Sequence, residues 1–355
     1  MSAGDGVVIR PARADEADSV AALTDRSFAA GPYGHLPVSP ERRALVHAVA
    51  ERADSGAVLV ADDGGALVGT VSLLRAGTRQ SRLAIGDEAE LRLLAVEPAA
   101  RGRGLGRALA AAAQEEAHAW GASAVVLDTG ALNLPAQRLY ERLGFRAFRR
   151  GPGAGHAEIV AAAASGARID HVDYRLPLRQ RPDVVVRLVR DDEVDAVAAV
   201  SLRAYEHDYD VSDGDRAAIL AVGERAREHQ VWVAVDAVSG RLLGTVATPR
   251  RGAVISPLAE PGELDFRLLA VDPAARGRGI GAVLTAHAIE LARLRGLERV
   301  VMNSGPQMTT AHRLYERLGF ARLTEREREI EDGGRRFRLL AFTIDVPRDA
   351  ATIAS

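Results

Sequence analysis

Residues 93–106 read Leu-Leu-Ala-Val-Glu-Pro-Ala-Ala-Arg-Gly-Arg-Gly-Leu-Gly, and residues 268–281 read Leu-Leu-Ala-Val-Asp-Pro-Ala-Ala-Arg-Gly-Arg-Gly-Ile-Gly. The second copy lies 175 positions after the first. The same offset carries Arg-Leu-Tyr-Glu-Arg-Leu-Gly-Phe at 138–145 onto an identical stretch at 313–320, and Gly69-Thr70-Val71 onto Gly244-Thr245-Val246. Val8-Ile9-Arg10 matches Val185-Val186-Arg187 at an offset of 177. Colinear matches over nearly the whole chain mean a duplicated domain. The period is too long for a solenoid, whose units run roughly 20–50 residues.

The 355 residues suffice for two domains, each able to bury a core. A hydrophobic share of 47% with 26% charged residues is a globular balance. Net charge is −2, which gives no global field for non-specific nucleic-acid binding. All basic residues are arginine. Cysteine is absent, which excludes disulfides, thiolate nucleophiles and cysteine metal sites. No metal site is called for. Residues 1–10 lack the profile of a signal peptide, and no apolar run approaches a membrane span of about 18 residues. A cytoplasmic protein is expected, with no membrane partner and an open oligomeric state.

The seam falls near Leu176-Pro177-Leu178-Arg179-Gln180-Arg181-Pro182-Asp183, where two prolines and polar residues interrupt regular structure. The expected domains are residues 1–178 and 183–355. Residues 151–166, rich in Gly and Ala, have no similar counterpart and read as a loop. Within the first copy, 7–10 reads as a strand followed by a helix with Asp15 as its cap. Apolar runs at 58–61 and 67–74 flank the turn Asp62-Asp63-Gly64-Gly65 and read as paired strands. Strands follow at 91–96 and 125–127, with helices at 105–120, stopped by Gly121, and at 136–143, stopped by Gly144. The second copy gives the matching series, its long helix ending at Gly296.

Chemistry sits where a strand, a proline and a Gly-rich turn lead into a helix. The first turn of a helix offers free N–H groups and the positive end of a dipole, a ready anion site. Glycines let backbone approach the anion, and arginines add charge-assisted bonds. A pyrophosphate-bearing cofactor is the natural occupant. A P-loop is excluded because no lysine exists to complete it. The dinucleotide pattern G-x-G-x-x-G/A fits Gly277, Gly279 and Ala282 but fails in the first copy, where Arg107 takes the third place. An acidic strand end about 20 residues on is missing as well.

The elements Arg101-x-x-Gly104-x-Gly106 and Leu139-Tyr140-x-x-Leu143-Gly144-Phe145 resemble the GCN5-related N-acetyltransferase (GNAT) superfamily. So do Arg276-x-x-Gly279-x-Gly281 and Leu314-Tyr315-x-x-Leu318-Gly319-Phe320. The resemblance covers essentially the whole chain. It implies an α/β fold of two tandem domains, each a mixed, mostly antiparallel, splayed sheet flanked by helices, with acetyl-CoA in the cleft.

The resemblance also assigns roles. Leu94, Ala95 and Val96, with Leu269, Ala270 and Val271, would offer backbone groups to the pantetheine arm. The turns Arg101, Gly102, Arg103, Gly104, Leu105, Gly106 and Arg107, and Arg276, Gly277, Arg278, Gly279, Ile280, Gly281 and Ala282, would hold the pyrophosphate. Tyr140 and Tyr315 would place a hydroxyl beside the thioester sulfur, a general-acid task. Asn133 would contact the cofactor, whereas Met308 replaces it in the second copy. Glu90 and Asp265, each eleven residues before the turn arginine, match the spacing of a general base. Asp128 is a weaker candidate, since its counterpart Asn303 cannot act as one. Acceptor recognition is expected from 28–36, 151–166 and 205–210, the last with acids Glu206, Asp208 and Asp210.

The expected function is transfer of acetyl from acetyl-CoA to a primary amine, of a small molecule before a peptide, by direct attack in a ternary complex. The alternative is an acyl-CoA-binding regulatory module with one or both domains non-catalytic.

Overall fold

The computed structural model describes residues 6–148, 171–332 and 335–347. The loop expected at 151–166 lies outside them. Two compact units divide the chain between Leu178 and Arg179.

Unit 1 runs β1 (Val7–Pro11), α1 (Ala17–Ala29), α2 (Pro40–His47), α3 (Val49–Asp54), β2 (Gly56–Asp63), β3 (Ala66–Arg75), β4 (Ala89–Val96), α4 (Leu105–Trp120), β5 (Ala124–Gly130), α5 (Leu134–Arg142), β6 (Arg146–Phe148) and β7 (His171–Pro177). Its sheet order is β1-β2-β3-β4-β5-β7-β6, antiparallel at every pairing except β4 with β5. The β2–β3 turn forms because Gly64 and Gly65 adopt φ of 60° and 97°, while Asp62 Oδ1 accepts the Gly65 amide at 2.7 Å. Helix α4 has the ends expected from the sequence, and Gly121 stops it with φ of 76°. The entry to α1 differs from expectation. A 3-10 turn, Ala14–Glu16, precedes it, and Glu16 rather than Asp15 closes that turn: its carboxylate accepts the Arg13 amide at 2.7 Å and lies 2.6 Å from the Arg10 guanidinium. In unit 2 Glu193 repeats the device with Arg187 at 2.6 Å.

Unit 2 runs β8 (Val184–Leu188), α6 (Val194–Glu206), α7 (Asp213–Leu220), α8 (Val222–Glu228), β9 (Gln230–Asp236), β10 (Leu242–Thr248), β11 (Glu263–Asp265), β12 (Arg267–Val271), α9 (Ile280–Arg295), β13 (Arg299–Ser304), α10 (Thr309–Arg317), β14 (Ala321–Arg322), β15 (Arg328–Asp332) and β16 (Arg335–Asp345). What is one strand in unit 1 is two here, β11 and β12, broken at Phe266. One sheet orders as β12-β10-β9-β8, the other as β11-β13-β16-β14 with β15 on β16.

That break is the splay. In unit 1, β4 bonds β5 only at Ala89↔Val125 and Glu90↔Val126, so the rest of β4 leaves its neighbour. Leu93 and Leu268 carry φ of 52° and 53°, the only non-glycine residues at positive φ among those described. Such a conformation costs about 1–2 kcal/mol for an L-residue. The ladder shifts register opposite each, between Thr70 and Ser72 and between Thr245 and Ala247, as a β-bulge does. Each bulge bends its strand and leaves backbone groups without a sheet partner on the open side.

Packing holds the wedge open. Leu109 on α4 and Leu284 on α9 are fully buried under their sheets, each worth roughly 2–3 kcal/mol of apolar burial. Trp232 is fully buried in unit 2 and bonds Thr248 Oγ1 at 2.9 Å, which satisfies its indole N–H.

Candidate active site

The duplicated turn joins the splayed strand to the long helix in both units. Gly102 and Gly104 have φ of 83° and 80°, and Gly277 and Gly279 have 77° and 74°. A Cβ at Gly102, Gly104 or Gly277 would meet nothing within 4 Å. These glycines are therefore set by backbone conformation, and the space over them is open to a ligand. Gly106 and Gly281 serve differently. A Cβ there would lie 3.3 Å from Leu139 and 3.0 Å from Leu314, so they let the long helix approach the tyrosine-bearing helix. Leu105 and Ile280 point into the core, each 1% exposed, and can offer a ligand only main-chain groups.

The arginines of the turn are engaged elsewhere, which the sequence does not reveal. Arg101 donates to the carbonyls of Ser27 at 2.8 Å and Ala30 at 3.3 Å, closing the end of α1. Arg276 does the same for α6 through the Ala204 carbonyl at 3.2 Å, and lies 2.7 Å from Asp208. Arg103 pairs with Asp63 at 2.8 Å, and Arg278 with Asp236 at 3.0 Å. With these four arginines committed, the anion site these turns offer rests mainly on amides and the helix dipole.

In unit 2 the expected cofactor residues converge. Leu269, Ala270, Val271, Arg276, Gly277, Gly279, Ile280, Gly281 and Ala282 line one cavity of about 410 Å³, together with Tyr315 and Met308, whereas Arg278, paired with Asp236, and Asp265 are not in its wall. Phe266, Arg267, Tyr205, Tyr209 and Asn303 complete its wall near the break in the strand. Tyr315 is 3% exposed and stacks at ring distances of 5.7 Å on both Phe320 and Phe342. Burial, reinforced by Tyr205 and Tyr209, drives its pKa well above the ordinary tyrosine value, so it stays a protonated donor. Tyr140 is equivalent in unit 1: 6% exposed, its pKa raised by burial and then by Asp128. Among the described residues no group hydrogen-bonds either hydroxyl. Asn133 precedes α5 and donates to Thr129 Oγ1 at 3.3 Å.

The two carboxylates proposed from spacing are both buried, Glu90 at 0% and Asp265 at 1% exposure, rather than solvated strand ends. Glu90 Oε2 accepts the amides of Arg82 at 2.5 Å and Leu83 at 2.6 Å and the Ser81 hydroxyl at 2.9 Å. It anchors the loop before β4, a role that competes with proton transfer. Asp265 receives less: the Ile255 amide at 3.4 Å and a bond from Ser256, while Oδ2 is buried with no partner. Burial raises its pKa. Asp128 is held by Arg82 at 2.6 Å and His171 at 2.9 Å. Burial would raise its pKa, but these partners pull it well below the carboxylate range, which makes it a poor base.

The sequence matches the Acetyltransferase (GNAT) family over residues 21–145 and again over 194–320. The chain belongs to the GNAT acetyltransferase family. It is an acetyltransferase whose cosubstrate is acetyl-CoA. Mycothiol acetyltransferase from Cellulomonas flavigena is 28% identical over 338 residues, covering 88% of this chain and 84% of that protein. The mycothiol acetyltransferase of Rhodococcus jostii is 32% identical over 323 residues, covering 86% and 92%. Among solved structures, the PaiA N-acetyltransferase of Thermoplasma acidophilum in complex with coenzyme A aligns to 48% of this chain and 99% of its own, at 15% identity and a TM-score of 0.37.

The stretches expected to recognise the acceptor behave differently in the two GNAT units. In unit 1, Tyr33 lies over Gly130, and its hydroxyl accepts the Leu132 amide at 2.7 Å. In unit 2 two of the three acids of 205–210 are paired by arginines. Glu206 lies 2.5 Å from Arg216, and Asp208 is bound to Arg276. It is Tyr205 and Tyr209, with rings 6.3 Å apart, that give this stretch its aromatic face on the cavity. Arg267 and Phe266 went unremarked in the sequence. The identity of Arg92 with Arg267 in the aligned copies was the available signal.

Among the described residues, no helix is long and apolar enough to cross a membrane.

Proposed function

We propose that the chain acetylates the primary amine of a small molecule and that unit 2 performs the transfer. The domains are taken as residues 1–178 and 183–355. One observation carries the reading: strand β12, the glycine turn and Tyr315 meet in a single cavity of about 410 Å³.

The main-chain groups of Leu269, Ala270 and Val271 would hold the pantetheine arm, and the amides of Gly277, Gly279, Gly281 and Ala282 the pyrophosphate. In unit 1 the matching groups are Leu94, Ala95 and Val96 and the amides of Gly102 to Arg107. Acetyl-CoA supplies the activated acetyl group. Holding the amine beside it converts a bimolecular encounter into a local one. Asp265, buried beside Phe266 of the cavity wall with one oxygen unpartnered and a raised pKa, takes the proton of the acceptor nitrogen through water. Tyr315, kept neutral by burial, donates toward the departing sulfur. In unit 1 Glu90 is held more tightly, by three short bonds from its loop and by Arg92 at 3.4 Å, which makes the matching carboxylate the weaker base.

The names of the mycothiol acetyltransferases that match most of this chain support a small-molecule acceptor for it too; its place of action is taken as the cytoplasm. Thiol release from acetyl-CoA across a panel of small amines tests the reading. Turnover with at least one amine is expected. Coenzyme A binding without turnover of any amine would favour a regulatory module instead.

A further inference from the structure

The cleft of unit 2 carries positive charge that its own acids do not neutralise. Arg267 lines the cavity, is exposed to it, and makes no ion pair among the described residues. Behind Tyr205 lies Arg225, on α8, whose guanidinium donates only to the carbonyls of Ala218 at 2.8 Å and Ile219 at 3.2 Å. Burial lowers its pKa, Tyr205 counters, and the charge of Arg267 lowers it further, so the two cations lie within each other's field. Nearby acids are committed or distant in effect. Glu206 is paired with Arg216, and Asp208 with Arg276, while Asp265 is a buried carboxyl with its pKa raised in spite of Arg267.

Unit 1 repeats the arrangement. Arg52 on α3 is fully buried, donates to the Val46 carbonyl at 2.9 Å and to Ser72, and leaves Nε without a partner. Burial, then the charge of Arg92, pushes its pKa down to about 10. Arg92 is the equivalent of Arg267, one residue before the bulge, but in unit 1 it is paired with the buried Glu90 at 3.4 Å. In unit 1 a carboxylate of the protein thus meets this cation, whereas Arg267 in unit 2 has no ion pair among the described residues, which leaves that place on the cavity wall to an anionic ligand.

We infer that the acceptor in unit 2 carries an anionic group, a carboxylate or phosphate, close to the amine that is acetylated, and that Arg267 binds it. Tyr205 and Tyr209 flank the anion and take the apolar part of the molecule. The inference rests on unit 2 being the transfer site and narrows its acceptor to amino acids and amino phosphates. The thioester bond breaks and the amide bond forms as before. The anion takes no part in the chemistry beyond orienting the nitrogen.

The test is calorimetric titration of the full chain, saturated with coenzyme A, at about pH 6.5, below the α-amino pKa. Two matched pairs are compared: L-leucine with L-leucinamide, and O-phosphoethanolamine with ethanolamine. The anionic member of at least one pair should bind ten times more tightly or better. Arg267→Gln should equalise that pair, and Arg267→Lys should restore part of the difference. Preference for the leucine pair identifies a carboxylate, and for the other a phosphate. Equal affinities in both pairs, binding of no compound, or a preference that survives Arg267→Gln overturns the inference. Coenzyme A affinity is recorded in the same samples. Its loss in the unmutated chain sinks the acetyl-transfer reading itself, whereas intact coenzyme A binding with no charge preference sinks this inference alone.

Discussion

Glu90 and Asp265 occupy the same step of the duplicated strand and each has one buried oxygen without a hydrogen bond, yet Glu90 Oε2 accepts two main-chain amides at 2.5 and 2.6 Å while Asp265 Oδ1 accepts one at 3.4 Å. One sequence position has become a tightly held loop anchor facing Arg92 at 3.4 Å in unit 1 and a more loosely held buried carboxyl in unit 2. The two should therefore fail differently on substitution. Glu90→Gln weakens charge-assisted bonds and should destabilise unit 1 by about 1–3 kcal/mol, read by chemical denaturation. Asp265→Asn should lower kcat/KM by about a hundredfold or more with the fold intact.

The pH dependence follows from the same residue. A base must be unprotonated, and burial raises the pKa of Asp265. Accordingly kcat/KM should climb with pH through a value above the usual carboxylate range, near 3.9. Asp265→Asn should remove that limb. The sign for stability is opposite, since a raised pKa means that neutral Asp265 favours the fold below its unfolded pKa and the advantage is lost as pH rises through the folded one.

Acid sensitivity of unit 1 should trace to Glu16. Its hydrogen bond with Arg10 is the main cause that holds its pKa down to about 2, from an ordinary 4.5. The stabilisation is present above about pH 4.5 and is lost as pH falls toward 2. A Glu16→Gln variant should unfold with a flatter pH profile across that window, followed by circular dichroism.

Two glycines near the cavity separate conformation from space. Gly277 has φ of 77° and open surroundings, so Gly277→Ala adds only backbone strain. That strain, about 1–2 kcal/mol, should weaken coenzyme A binding roughly tenfold. A Cβ at Gly244 would instead lie 2.6 Å from the Ala270 carbonyl, which is backbone. Gly244→Ala should displace β12 and lower both thermal stability and coenzyme A affinity.

Much of this architecture is legible from the chain. The repeated glycines need positive φ, and Gly121 and Gly296 stop the long helices where the sequence indicates. The short helices α2 and α3 carry weak apolar periodicity and were not evident. Nothing in Leu93 or Leu268 announces a left-handed backbone, because the bulge is imposed by the splay and not by local preference. Side-chain direction was the larger gap. Spacing placed Arg101, Arg276 and Glu90 near the right strand and turn, but only tertiary structure shows Arg101 and Arg276 turned toward α1 and α6 and Glu90 toward its loop. The acids of 205–210 stand out in the sequence, but nothing local to them shows that Glu206 is taken up by Arg216 and Asp208 by Arg276.

The most direct test of unit 2 as the place of transfer is the turnover of two single variants, Tyr140→Phe and Tyr315→Phe, with a productive amine. Tyr315→Phe should lose about tenfold to a hundredfold in kcat with little change in KM, while Tyr140→Phe keeps the rate of the parent. A full rate from Tyr315→Phe, or a loss confined to Tyr140→Phe, would contradict it.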